Sequence, residues 1–291
     1  MKKYILITLL SFSLAQVFSL YDYTGSRATS MSGAVTSGPA GIWSIFHNPA
    51  QLSDLDNINL SSGYSNIFNL AFLPYYNFGI SYDSYAINIE KLSTTIGNDD
   101  LSSETALGFS KGFLIYKDRQ SKIQSGLRFN FYQYKFGQSA GPEGDGSIGS
   151  SNLGQGSGYG LDVGLQGSLN NRFYIAYYLQ NIYSNTIGYG LGVDLPNSFS
   201  IGISYLPYED LLTSLDINQM SGNINQEVRF GIEYILFDYL TIRAGIQNNP
   251  NRFSGGFAYK VDGLGDLSYG FITHHILPVT HQLTFSMKLN K

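Results

Sequence analysis

The chain has 291 residues, a formal net charge of −4 at pH 7 and no cysteine, which excludes disulfides, thiol nucleophiles and thiolate metal ligands. The mild negative charge also argues against nucleic acid as a partner. Charged residues make up only 13% of the chain and aromatic residues 15%, with 33 glycines and a mean hydropathy of −0.07. This combination is typical of strands that have one face in lipid and one polar face.

The N-terminus has the pattern of an export signal. Two lysines precede an apolar run over residues 4–14, and the triplets 13–15 and 17–19 each offer small residues for cleavage. The run is too short and too early for a membrane-spanning helix. We therefore predict a secretory signal peptide over residues 1–19, with a buried N-terminal helix or strand as the alternative.

Residues 20–56 have a different character. Small residues dominate, alternation is poor, and the only tryptophan of the chain, Trp43, lies here. Pro49 favours an extended Asn48, so a sharp bend is expected at this point. The segment is too apolar for a free tail, and we predict that it packs against the domain that follows.

From residue 57 to 291 the dominant pattern is a period of two. Phe230, Ile232 and Tyr234, for example, alternate with Arg229, Gly231 and Glu233, which gives each strand one apolar and one polar face. Most predicted strands are close to the 9–11 residues that a tilted strand needs to cross a bilayer. The fourteen predicted strands are 57–67, 70–82, 84–92, 104–116, 122–136, 159–169, 172–182, 197–206, 209–217, 226–236, 239–247, 252–261, 266–274 and 281–290.

The predicted connections alternate in length. Short ones, such as 170–171 and 237–238, alternate with longer ones, such as 137–158 and 183–197. Outer-membrane barrels have short periplasmic turns and longer external loops. We therefore predict an all-β fold, a transmembrane antiparallel β-barrel of about 14 strands in the outer membrane of a Gram-negative-type bacterium. Residues 20–56 would then form a plug in the lumen or close the periplasmic mouth. A soluble exported β-sandwich is the alternative.

Lys111 falls on the apolar face of its predicted strand. It is expected to reach toward an interface, unless a bulge changes the facing there.

Patterns that resemble enzyme motifs are best explained by composition. Residues 108–112 and 137–141 both spell G-x-S-x-G, but neither follows a strand-to-helix elbow. Residues 144–149 spell G-x-G-x-x-G without a helix to present to phosphate. We predict no catalytic residues, no cofactor and no metal site, although His274, His275 and His281 could approach one another in a loop.

Several charged residues share the inward phase of their strands. Buried charges are normally paired, so we predict either a salt-bridge network that ties the lumen to the plug or a polar lining that guides a solute. The residues concerned are Arg128, Asp162, Glu227, Arg229, Glu233, Arg243 and Lys260.

The segment before the first strand resembles the N-terminus of the PorV/PorQ family of outer-membrane barrels, which is related to the fatty-acid transporter FadL. The resemblance covers about thirty residues and rests on Ser26, Arg27, Ala28, Gly33, Asn48, Pro49 and Ala50, which it identifies as a plug element. The residues between Gly33 and Asn48 depart from the family in lacking acidic side chains. The short chain is closer to the PorQ-like members, which are linked to the attachment of cargo at the cell surface.

The resemblance implies a non-catalytic role in type IX secretion, in which the partners are secreted cargo proteins or other secretion components. The alternative is a FadL-like transporter that binds small hydrophobic compounds. In both cases the barrel contacts outer-membrane lipid. A wholly apolar tunnel is not visible in the inward faces of the predicted strands.

Overall fold

The computed structural model describes residues 21–96, 99–136, 138–140, 148–152, 154–185, 195–221 and 225–289. The signal peptide predicted for residues 1–19 lies outside these residues. None of the helices in the described ranges is long and apolar enough to cross a membrane.

Fourteen antiparallel strands close into one barrel. Each is hydrogen-bonded to its neighbours in the sheet, and the first strand pairs with the last, so the sheet has no free edge. The strands are β1 Ile58–Asn66, β2 Pro74–Tyr82, β3 Tyr85–Ile96, β4 Asp99–Lys117, β5 Ser121–Phe136, β8 Gln155–Leu169, β9 Phe173–Ser184, β10 Ser198–Tyr208, β11 Leu211–Met220, β12 Glu227–Phe237, β13 Leu240–Gln247, β14 Arg252–Val261, β15 Gly265–Ile272 and β16 Thr280–Leu289. Two further short strands, β6 Gln138–Ala140 and β7 Ile148–Asn152, form a separate hairpin between β5 and β8.

The predicted number of barrel strands is confirmed, whereas many boundaries differ by a few residues, and the differences change the character of two connections. Residues 67–69 form a 3₁₀ turn in which Phe68 and Asn69 have left-handed φ values of 55° and 54°, so β2 begins at Pro74 rather than at residue 70. The predicted loop 93–103 is mostly strand, because β3 and β4 continue their pairing through Ser93 and Ser103.

The outer face of the barrel is apolar. On β3, for example, Ile87 and Ile89 are 45% and 42% exposed, whereas Ala86 and Asn88 between them are 4% and 2% exposed. A closed sheet that exposes isoleucine, phenylalanine and tyrosine around its whole circumference is suited to lipid, since neighbouring strands pair their backbone polar groups over most of the wall. The predicted reach of Lys111 is confirmed, because its Nζ lies 3.5 Å from the centroid of the Tyr85 ring and donates to the carbonyl of Asp83.

The core of the molecule is inside the barrel. Residues 21–56 lie there as a short helix α1, Ser26–Ser30, and two 3₁₀ turns, Ile42–Ile45 and Pro49–Asp54. Met31, Ile45 and Leu52 are fully buried against the inward faces of the strands. We call residues 21–56 the N-terminal segment.

Candidate functional site

The N-terminal segment is hydrogen-bonded to strands around most of the barrel. The bonds are mainly between small polar side chains, so each is modest by itself. They join Thr24 to Glu90 on β3, Ser26 to Thr284 on β16, Ser32 to Ser254 on β14, Thr36 to Asp216 on β11, Ser37 to Ser204 on β10, and Gln51 to Gln166 on β8.

A row of glycines lets one part of the segment approach the wall. Gly112, Gly126 and Gly164 pair in register across β4, β5 and β8. A Cβ on Gly126 would lie 2.2 Å from the carbonyl carbon of Pro49, and a Cβ on Gly164 would lie 2.0 Å from Oδ1 of Asn48. Only glycine therefore leaves room for Asn48–Pro49–Ala50 at this height, and we call these three glycines the glycine row.

The opposite wall accommodates α1 in the same way. Gly231 and Gly245 are paired across β12 and β13, and a Cβ on either would lie less than 3.0 Å from Met31. Gly256 and Gly270 are paired across β14 and β15, and a Cβ on either would meet the Ser30 side chain. The high glycine content thus serves close packing between the wall and the segment.

Asn48–Pro49–Ala50, taken from the sequence as part of a plug motif, is tightly held. Asn48 is fully buried; its Oδ1 accepts from the Ala50 amide at 3.0 Å, and its Nδ2 donates to the carbonyl of Thr36 at 3.1 Å. Pro49 occupies the first position of the 3₁₀ turn, where its missing N–H costs nothing.

The other motif residues lie about α1. Ser26 and Ala28 are fully buried, Arg27 pairs with Glu233, and Gly33 has a φ of 79° beside the Arg229 guanidinium. The motif residues therefore form two separate anchoring points, one on the glycine row and one around α1.

Arg128 joins the 3₁₀ turn Ile42–Ile45 to the wall. Its guanidinium donates to the carbonyls of Ile45, Phe46 and His47 at 2.6, 3.0 and 3.1 Å. It also donates to the hydroxyl groups of Ser110 and Tyr178 and lies 3.7 Å from Asp162. All five of its N–H groups therefore have an acceptor.

A second group of charges surrounds α1. Glu233 accepts from Arg27 of the segment at 3.0 Å and from Arg243 of β13 at 2.6 Å. Arg229 pairs with Asp22 at 2.8 Å and with Glu227 at 2.5 Å. Six of the seven inward charges singled out from the sequence thus form ion pairs. Lys260 lies apart, exposed near the short connection between β14 and β15.

Between the segment and the strand ends far from the short connections lies a cavity of about 100 Å³. The segment forms its floor through Tyr21, Phe46 and His47, and strand residues far from the short connections form its sides. Its charged lining residues are Asp22, Glu90, Glu104, Arg128, Asp162 and Arg229. The lining is mostly polar, which agrees with the absence of an apolar tunnel from the sequence pattern.

Two groups in this cavity were not singled out from the sequence. The carboxylate of Glu90 accepts from the Tyr75 hydroxyl at 2.5 Å, the Thr24 hydroxyl at 2.8 Å and the Asn88 amide at 3.2 Å. Nε2 of His47 is buried with no hydrogen-bond partner among the described residues. Burial and the neighbouring Arg128 guanidinium lower the pKa of His47 to about 3, so its imidazole is neutral at pH 7.

The enzyme-like patterns do not form a site. Residues 108–112 lie within β4, residues 138–140 of the second pattern form β6, and residues 144–147 of the third pattern lie outside the described residues. His274 and His275 have ring centroids 4.4 Å apart in the connection before β16, and His281 bonds to the Tyr269 hydroxyl. No group of three possible metal ligands occurs in the described part of the chain.

Comparisons with known proteins identify solved structures that share this fold. No family model matches the chain, and no curated protein matches it by sequence. Among solved structures it resembles the CymD monoaromatic hydrocarbon channel, with a TM-score of 0.62, 14% identity, and 92% of this chain and 98% of that chain covered. For the toluene transporter TodX of Pseudomonas putida the TM-score is 0.59 and the sequence identity 13%, with 94% of this chain and 98% of that chain covered. For a FadL homologue of Pseudomonas aeruginosa the TM-score is 0.51 and the sequence identity 10%, with 90% of this chain and 97% of that chain covered.

At these identities the likeness is one of fold. The protein is a bacterial outer-membrane β-barrel of the architecture found in FadL-type channels. The comparisons support the alternative drawn from the sequence, a FadL-like barrel, better than the PorV/PorQ assignment, which they do not show.

Proposed function

We propose that this protein is an outer-membrane channel for small, largely apolar compounds, with the N-terminal segment as a plug that closes the lumen at rest. The observation that carries the proposal is the segment itself, which lies inside the barrel between the cavity and the end with short connections. The resemblance to CymD and TodX, described as a hydrocarbon channel and a toluene transporter, supports the same conclusion at the level of fold.

The contacts of the plug favour movement. It is held largely by hydroxyl–hydroxyl bonds, such as Ser37 to Ser204, and by ion pairs, such as Arg27 to Glu233. Water can replace such bonds at a small net cost. The apolar contacts of the segment, among them those of Met31, Ile45 and Leu52, oppose such a shift and keep the lumen closed at rest.

The strand pairing of the wall beside the cavity includes a bulge on β9. Leu161 pairs with Tyr183, but Val163 pairs with Leu179, so β9 bulges around Asn181. Asn181 has a left-handed φ of 52° and is held by a bond from its amide to Asp162 at 2.8 Å. A bulge locally breaks the ladder, and we infer that an apolar solute leaves the cavity through the wall here.

The proposal is tested by uptake. Cells that lack the gene are complemented with the intact gene or with an empty vector, and accumulation of radiolabelled toluene is measured at low external concentration. We expect faster, saturable uptake only in the complemented strain, because the polar leaflet of the outer membrane slows apolar diffusion. Equal uptake in both strains would contradict the channel function.

A type IX secretion component of the PorV/PorQ kind is the second candidate. It is favoured by the Ser26–Ala28 and Asn48–Ala50 motifs, both of which contact the wall. Cargo binding requires no passage of solute through the lumen, so the uptake measurement also separates the two candidates.

A further inference from the structure

The charges that line the cavity are not balanced. Four lining residues are carboxylates, Asp22, Glu90, Glu104 and Asp162, and two are guanidiniums, Arg128 and Arg229. If all are ionised, the lining carries two more negative charges than positive ones. A small enclosed volume with such a lining attracts cations and repels anions.

Neither guanidinium carries an unmatched positive charge. All five N–H groups of Arg128 are used by Ser110, Tyr178 and the carbonyls of residues 45–47. Arg229 is held between Asp22 and Glu227 at 2.8 and 2.5 Å. An anion that entered the cavity would compete with these carboxylates for the charge of the guanidinium.

The carboxylate of Glu90, unlike these two guanidiniums, has no partner of opposite charge within ion-pair distance among the described residues. None of the ion pairs formed within the described ranges includes it, and its bonds are to neutral donors, the hydroxyl groups of Tyr75 and Thr24 and the amide of Asn88. A buried carboxylate is normally matched by a cation. The cavity beside it is where a ligand can supply that charge.

The surroundings of Glu90 suit an organic cation. The Tyr21 and Tyr75 rings are 4.8 Å apart at their centroids, and Tyr132 and Tyr178 line the same cavity. Aromatic faces attract an ammonium group and also pack against an apolar body. The unpaired Nε2 of His47 is a further acceptor for an N–H group when its ring proton lies on Nδ1.

We propose that the cavity is a binding site for a primary ammonium group on a short apolar or aromatic body, with Glu90 as its counter-ion. The proposal rests on the channel function above and narrows it. Among the largely apolar compounds that enter the lumen, those with an ammonium group would bind in this cavity most tightly. The cavity of about 100 Å³ limits the bound part to a small group.

The test is calorimetric titration of the purified full chain in detergent with three probes. They are 2-phenylethylammonium, its anionic counterpart 3-phenylpropionate, and potassium chloride. We expect saturable one-site binding of the ammonium compound alone. Binding of the propionate with equal affinity, or displacement of the ammonium by potassium at equal concentration, would overturn the assignment.

Variants locate the site. Glu90→Gln should weaken ammonium binding roughly 10- to 100-fold, as expected for the loss of a hydrogen bond to a charged group. Glu209→Gln, in the exposed short connection between β10 and β11, is the matched control and should bind as the wild type does. Unchanged binding by folded Glu90→Gln would overturn the role of Glu90. If that variant does not fold, the three-probe series on the wild type still decides.

Failure of this inference can be told apart from failure of the channel. Toluene uptake by the wild type tests the channel independently of this site, because a hydrocarbon makes no use of the carboxylate. Intact uptake without ammonium binding overturns the ammonium site alone. Ammonium binding without toluene uptake overturns the channel for hydrocarbons and leaves the site in place.

Discussion

Replacing Gly126 with alanine is expected to displace the plug and to raise the ion conductance of the barrel roughly 5- to 150-fold, the factor that corresponds to about 1–3 kcal/mol of overpacking. The new Cβ would lie 2.2 Å from the carbonyl carbon of Pro49 and 2.4 Å from the amide nitrogen of Ala50. These are backbone atoms, which cannot rotate away as a side chain can. The 3₁₀ turn Pro49–Asp54 must therefore leave the wall.

Conductance in planar lipid bilayers measures this effect. Gly167→Ala on β8 is the matched control, because its Cβ would have its nearest neighbour, the Ile175 side chain, at 3.7 Å. It should conduct as the wild type does. A folded Gly126→Ala barrel with wild-type conductance would show that the segment does not close the lumen.

Replacing Arg128 with methionine is expected to have a larger effect. The change removes every hydrogen bond that the guanidinium makes to residues 45–47 and leaves Asp162 without its cation. Breaking a buried pair from one side typically costs about 3–5 kcal/mol. Since these bonds join the segment to the wall, we expect the open fraction to rise more than about a hundredfold.

The measurement is protease cleavage of the N-terminal segment in the intact barrel. Arg119→Met, in the exposed connection between β4 and β5, is the control and should leave cleavage unchanged. Arg128→Lys keeps the charge but has three donors instead of five, so its cleavage rate should be intermediate. If the N-terminal segment of Arg128→Met resists the protease as well as that of the wild type, Arg128 does not anchor the segment to the wall.

The fold could be predicted because its signals are local. The alternation of apolar and polar residues distinguishes the outer face of each strand from its inner face. The short connections indicate that strands consecutive in the chain are neighbours in the sheet. The start of β2 was placed too early because Ile67–Leu73 is apolar enough to continue a strand, and the left-handed Phe68 and Asn69 could not be anticipated.

The candidate site was predictable only in part. The pairing of Glu233 with Arg243 follows from their being partners across one short connection. The pairing of Arg27 with Glu233 depends on how the segment enters the barrel, which no local pattern encodes. From the sequence, the three glycines of the glycine row were assigned only to the small, polar faces of their strands. That they make room for the N-terminal segment becomes clear only when β4, β5 and β8 are aligned in register. Glu90 shares the inward phase of Asn88 but was passed over, since the adjacent Lys91 faces the other side of the strand and β3 carries no other cation.

The central claim, that the N-terminal segment closes a channel inside this barrel, is tested most directly by an engineered disulfide. The hydroxyl oxygens of Ser37 in the segment and Ser204 on β10 are 2.6 Å apart, and the chain has no cysteine of its own. In the double variant Ser37→Cys/Ser204→Cys the oxidised form should lose toluene uptake and regain it on reduction. The control Ser204→Cys/Ser214→Cys bridges two wall strands whose hydroxyl oxygens are 2.9 Å apart and should transport in both states. Undiminished uptake by the barrel with the Ser37→Cys/Ser204→Cys disulfide formed would contradict the account.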